Sequence, residues 1–225
     1  MTSTTIDFIE YQGIARILHH VLCHYPEISL LNEFIGHDVA GSWPTLAARA
    51  SNTQGRAALS GYLSQWQAQD SHAKDSQLIE LQLDYGQLFF GPGEPKAIPQ
   101  GSVYLSEEQL LNDRSTVALM DFYKTHGVEL TLNYRQPLDH IGLFFSVLDS
   151  SFGRLAKEPT NLELTQFIQI LLQQHLLPWS GRCLELAAKH ADSKFYQGMA
   201  LLADDFLCQL AADFKVVAMP MRLFR

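Results

Sequence analysis

The sequence predicts an all-α protein, and three observations carry that expectation. Apolar residues recur every three or four positions along most of the chain. The closing stretch sustains the pattern at length, through Met199, Leu202, Ala203, Phe206, Leu210 and Phe214. The alternation that would mark a strand is only partial and is confined to residues 128–137, VELTLNYRQP. The expected architecture is a compact globular bundle of about ten helices with a proline-rich loop near the middle.

Taken in order, residues 6–25 read as an amphipathic helix, with Ile14, Leu18, Val21, Leu22 and Tyr25 at helical spacing and Pro26 behind. Leu30 to Ile35 predicts a short second helix. Gly41-Ser42-Trp43-Pro44 predicts a turn, with Ser42 as a candidate cap. Leu59, Tyr62, Leu63 and Trp66 place one face of a helix over 54–69. The polar run Ser71 to Ser76 reads as a turn, and a longer helix follows from Asp75 to Phe90. Gly91-Pro92-Gly93 stops it, and Pro95 and Pro99 keep the next segment irregular, because proline lacks a backbone donor and restricts the residue before it.

Beyond Tyr104, Ser106-Glu107-Glu108 has the composition of a helix start. Ser115 to His126 predicts a helix that Gly127 ends. Ile141 to Leu148 is apolar almost all round, and its continuation through Phe152 and Leu155 favours a buried central helix over a strand. Pro159-Thr160 opens another helix through Leu164, Phe167, Ile168, Leu171 and Leu172. Pro178 interrupts, Trp179 to His190 makes a short helix, and a long helix closes from Phe195. The tail MPMRLFR is basic and apolar. Residues 127–137 offer a division into two lobes, but residues 1–225 are expected to form one cooperative domain.

Composition excludes several functions. The chain has 225 residues, 47% of them hydrophobic, and a formal net charge of −8. Nucleic-acid binding needs clustered Lys and Arg and is disfavoured. Cys23, Cys183 and Cys208 are too scattered for a disulfide framework and fit reduced thiols. There is no secretion-signal pattern at Met1 and no apolar run near the roughly 20 residues that span a bilayer. These features predict a cytoplasmic protein without stable membrane insertion.

The search for chemistry is mostly negative. GPGEPK lacks the GK[ST] ending of a phosphate loop, and no GxGxxG, GxSxG or HExxH is present. His20 and His24, with Cys23 beside them, could begin a zinc site, but no second pair completes it. No metal and no cofactor are expected. Asp139-His140 is the most suggestive polar pair. Adjacent helical residues point about 100° apart, so Asp139 cannot readily orient His140 as in a catalytic triad. A carboxylate at a helix start is a good receptor for guanidinium. It is equally an ordinary cap, and spacing alone leaves both readings open. The aromatics Tyr85, Phe89, Phe90 and Tyr104 flank the proline loop. Core packing is the reading for Phe90, and a pre-organised peptide-binding surface is the reading for the loop. The Leu83–Tyr104 stretch and the Pro137–Gly142 stretch are expected to meet.

Several motifs in order carry a resemblance: LFFGPGEP, IPQGSVYL, TVALMDFYKTHGVEL, PLDHIG, HLLPWSGRCLEL, KFYQGMALLA and the closing LFR. They resemble the TorD/DmsD family of redox enzyme maturation chaperones, also called twin-arginine leader-binding proteins. The resemblance covers residues 80–225 well and is greatest to the DmsD branch. It implies an all-helical fold and no enzymatic activity. It implies binding to the twin-arginine signal peptide of a molybdopterin-containing oxidoreductase, such as a dimethyl sulfoxide reductase, which is held until its cofactor is inserted and Tat export follows. It leaves Tat translocase components open as further partners. The family's peptide pocket falls on Tyr85, Leu88, Phe89, Pro99, Gln100, Tyr104, Pro137, Asp139 and His140. Gln100 stands where the DmsD branch has Trp, Glu107 where it has Arg, and Tyr85 and Tyr104 where it favours Trp. A trimethylamine oxide reductase client therefore stays open. The alternatives are a small hydrolase or nucleotide-dependent enzyme using Asp139 and His140, and a helical scaffold in which Tyr85, Phe89 and Tyr104 are fully buried.

Overall fold

Ile141, Leu143, Phe144, Phe145, Val147, Leu148, Phe152 and Leu155 leave one helix almost no polar face, so it can be stable only with protein on all sides. In the computed structural model, which describes residues 6–45, 49–91, 93–132 and 136–225, this helix is the core of one of two compact units. The first unit comprises residues 6–23, Pro99–Ser180 and Leu210–Arg225. The second comprises His24–Ile98 and Gly181–Gln209. The all-α class holds: the described residues form α-helices and two π-helical segments, and no strand.

The first unit contains α1 (Phe8–Cys23), α6 (Ser102–Leu105), α7 (Arg114–Thr125), α8 (Ile141–Leu155) and α9 (Leu162–Ile170). A π segment, Leu171–Leu176, follows α9. α1 runs antiparallel to α8. Phe8 and Tyr11 pack on Phe152 at one end, and Arg16 forms a two-pronged ion pair with Asp149 midway. At the other end His19 Nδ1 contacts the Gly142 carbonyl at 2.8 Å. Glycine is required at 142, because a Cβ there would collide with Cys23 Sγ. Each fully buried Leu, Ile or Phe of α8 contributes roughly 1.5–3 kcal/mol of transfer free energy. α7 ends where expected, with Gly127 in the left-handed region at φ 65°.

The second unit contains α2 (Ile28–Gly36), α3 (Val39–Ser42), α4 (Ala50–Ala68), α5 (Ser71–Tyr85) and the π segment Gly86–Phe90. It also holds most of α10 (Leu177–His190) and α11 (Lys194–Asp213). α4 and α11 cross at glycines, where a Cβ on Gly198 would lie 2.8 Å from the Gly55 carbonyl oxygen. Nearby, Asn52 donates to the buried Asp205 carboxylate at 2.8 Å.

Several local expectations are corrected. Ser71 to Ser76 is helical, because the Asp70 side chain caps the Ala73 N–H at 2.9 Å and starts α5 earlier than the polar run suggests. Gly41-Ser42 belongs to α3, capped by Asp38 at Gly41, and the Ser42 hydroxyl donates back to the Asp38 carbonyl. Ser106 ends α6, with Glu107 and Glu108 in a turn. Asn161, not Pro159-Thr160, caps α9. Pro178 does not interrupt the helical run, because the π segment Leu171–Leu176 passes directly into α10. The π segment absorbs the irregularity before it, and Trp179 Nε1 donates to the His175 carbonyl at 2.7 Å. Phe90 is 73% exposed, because the buried stripe runs Leu81, Tyr85, Leu88 and Phe89 and leaves Phe90 beside it. Of the Gly91-Pro92-Gly93 corner, Pro92 lies outside the described residues, as do 133–135 of the 128–137 connection.

Candidate peptide-binding site

The proline loop is built from the end of α5 outward. The π turn closes through the Gly91 N–H on the Gly86 carbonyl. It frees the Gln87 and Leu88 carbonyls, which accept from the N–H groups of Lys96 (3.0 Å) and Ala97 (2.8 Å). The loop is thus tied back onto the helix that precedes it. Tyr85 and Phe89 are each 5% exposed and Leu88 is fully buried. Their rings pack with Tyr196 and, for Tyr85, with Tyr25, all inside the second unit. These aromatics support the loop and are not exposed beside it.

In the first unit, the chain after Pro99 meets the chain before α8. Ile141 N donates to the Pro99 carbonyl at 2.7 Å and Gly101 N to the Asp139 carbonyl at 3.1 Å. Gln100 and His140 form the isolated antiparallel bridge between them. The two stretches singled out in the sequence do meet, and Pro99, Gln100, Asp139 and His140 lie in the junction. Half-buried Pro137 leads into it.

Asp139 and His140 then diverge. His140 caps α8, its Nδ1 accepting from Gly142 N at 3.1 Å, which puts the ring proton on Nε2. Burial, with the charge of His19, lowers its pKa to about 4. Asp139 is 3% exposed and its Oδ2 accepts from Ser102 N at 2.6 Å. The carboxylate binds Ser102 N and the imidazole binds Gly142 N, so the two neighbours serve different partners. The nearby Cys23 thiol, 3.8 Å from His140 Nδ1, is pushed up to about 12 by burial and is no ready nucleophile.

The other oxygen, Asp139 Oδ1, is buried without a hydrogen-bond partner. Asp139 lines a cavity of about 170 Å³ with Ser102, Ser115, Leu105, Leu119, Phe144, Trp179, Met219 and Met221. The hydroxyls of Ser102 and Ser115 are also buried without partners. Burial lowers the pKa of His175, on the same wall, to about 4. Tyr104 is fully buried behind it and stacks on Trp179 at 5.6 Å. Gly101 is required here, since a Cβ would fall 2.5 Å from the indole. An apolar cavity with one carboxylate oxygen and two hydroxyls unsatisfied suits a side chain that is apolar along its stem and a multiple donor at its tip.

Sequence reasoning found Asp139 but not the walls around it. Trp179 lies in the HLLPW motif and Met219 and Met221 in the basic, apolar tail, so both stretches were conspicuous. Nothing in their spacing connects them to Asp139.

Comparisons with known proteins point to one family. A family model described as nitrate reductase delta subunit matches residues 45–185. "Probable Tat proofreading chaperone DmsD" of Haemophilus influenzae is 35% identical over 161 residues, 69% of this chain and 75% of the relative. "Tat proofreading chaperone DmsD" of Salmonella typhimurium is 32% identical over 155 residues, 69% and 70% of the two chains. "Chaperone protein TorD" of Aliivibrio salmonicida is 27% identical over 137 residues, 60% and 63%. These relatives carry the names of chaperones. Among the described residues no helix is long and apolar enough to cross a membrane.

Proposed function

The chain belongs to the nitrate reductase delta subunit family and, within it, to the TorD/DmsD chaperones, and we propose that it is a cytoplasmic chaperone for a twin-arginine signal peptide. Its client is the precursor of a molybdopterin-containing oxidoreductase, held until cofactor insertion and then released for Tat export, with translocase components as later partners. The observation that carries this reading is the Asp139 cavity. A leader arginine would place its stem against Trp179 and Phe144 and its guanidinium at Asp139 Oδ1. Pro99, Gln100, Pro137 and His140 frame the junction that fixes Asp139, and Tyr104 backs the indole. Tyr85, Leu88 and Phe89 contribute by holding the proline loop in shape.

Calorimetric titration with synthetic leaders tests the proposal. A peptide with an Arg-Arg pair followed by an apolar run should bind, and its Gln-Gln version should bind at least about tenfold more weakly, a difference of about 1.4 kcal/mol. Equal binding of the two peptides would overturn it.

A further inference from the structure

We infer that the segment following α11, Val216–Arg225, is a resident strap across the mouth of the Asp139 cavity, and that a leader peptide must displace it to enter. The inference rests on the proposed reading of that cavity as a leader site.

Lys215, in the left-handed region at φ 53°, turns the chain out of α11. From there the segment has neither helix nor strand and is clamped at two places. Met219 N donates to the Gln173 carbonyl at 2.9 Å, and Gln173 Nε2 donates to the Val217 carbonyl at 3.2 Å. Further on, Phe224 N donates to the Tyr104 carbonyl at 2.9 Å and Gln109 Nε2 to the Phe224 carbonyl at 3.1 Å. Met219, at the first clamp, and Met221, between the two, line the cavity, yet they are 42% and 41% exposed. A side chain that is both wall and surface forms the lip of an opening. Methionine suits a wall that has to re-pack, because it is unbranched and polarizable.

The strap also shares the chemistry of the proposed ligand. Arg222 and Arg225 flank the apolar Leu223 and Phe224, and the Arg222 guanidinium stacks 4.9 Å above the Phe224 ring. Main-chain hydrogen bonds hold this basic, apolar segment in place, as they would hold a peptide supplied from outside. The clamps are few, and the entropy of ordering the segment opposes them. Such a segment opens locally at little cost. If the cavity is competent only when the strap is lifted, the apparent affinity for a leader is reduced by the fraction of time it is open.

Two changes act on the strap in opposite senses, and both are read as the association rate of a fluorescent Arg-Arg leader peptide. A chain ending at Val216 should associate several-fold faster. A chain carrying Gln173→Cys and Met219→Cys on a Cys208→Ser background, oxidised so that the strap is tethered, should associate at least about tenfold more slowly and recover on reduction. An oxidised, tethered chain that binds at the untethered rate would overturn the strap. If the shortened chain fails to fold, the tethered chain alone decides. Asp139→Asn in both backgrounds separates the two claims. If it weakens binding everywhere while tethering changes nothing, only the strap fails. If it is silent everywhere, the reading of the cavity fails.

Discussion

Replacing Asp139 by Asn perturbs the proposed contact while sparing the frame. One carboxylate oxygen already serves the fold, accepting from Ser102 N at 2.6 Å, and the other is buried without a partner. Asparagine can keep the first bond through its carbonyl oxygen, placing an amide donor where the free oxygen was. A guanidinium would then meet a donor instead of an acceptor. Hydrogen bonds to charged groups contribute about 1.5–3 kcal/mol, so leader binding should weaken roughly ten- to a hundredfold. Stability should change little, because the variant loses charge assistance at Ser102 but also sheds an unpaired buried carboxylate oxygen. Asp139→Ala is the contrast: it leaves the Ser102 N–H buried and unsatisfied, which costs about 1–3 kcal/mol. The assay is a double-mutant cycle by fluorescence anisotropy, pairing Asp139→Asn with Arg→Gln at each leader arginine, with melts recorded in parallel. Additive losses at both arginines would refute the contact.

Three further outcomes follow from the geometry. Gly101→Ala should destabilise by about 1–3 kcal/mol in denaturant titrations, since its Cβ would press on a fully buried indole, whereas Gly181→Ala, with nothing within 4 Å, should stabilise or be neutral. On acidification, His140 is held neutral in the fold, its pKa lowered to about 4 from 6.5. The unfolded chain therefore binds the proton first, and stability present above 6.5 is lost as pH falls toward 4. His140→Asn should flatten that part of the melting-temperature profile, and an unchanged slope would contradict it. Leader binding should show a negative heat-capacity change in calorimetry at several temperatures, because the cavity wall is largely apolar.

The legible parts of the chain were those in which local pattern and tertiary burial coincide. α8 and α11 announce themselves because nearly every apolar residue in them faces protein. Ser71 to Ser76 has the composition of a turn, yet its helix depends on one cap and on Gln77 and Leu81 further along, not on the composition of its first turn. The π segments were not legible. Their irregular turns are stabilised by partners outside them, such as Lys96 and Ala97 on the Gln87 and Leu88 carbonyls. In the candidate site, proline punctuation exposed the Pro99 and Asp139 junction. The cavity walls escaped, because Phe144, Trp179 and Met221 are brought to Asp139 only by the fold.

This division bears on what the prominent aromatics do. Tyr85 and Phe89 are as buried as the helical scaffold reading required, and so is Tyr104. Burial of the aromatics alone would favour a scaffold. What distinguishes the candidate site from a scaffold is the grouping of a buried carboxylate oxygen and two serine hydroxyls, all without partners, on residues that line one cavity. A ligand that donates to them would satisfy them on binding. Tyr104, stacked on Trp179 in the same unit, is then a support that lets Asp139 be fixed before the peptide arrives, and a fixed receptor loses less ordering entropy when it binds. Substituting Tyr104 should accordingly lower stability and leader affinity together, whereas Asp139→Asn should lower affinity almost alone. Loss of affinity without loss of stability on Tyr104→Leu would return Tyr104 to the contact surface and count against a purely supporting role.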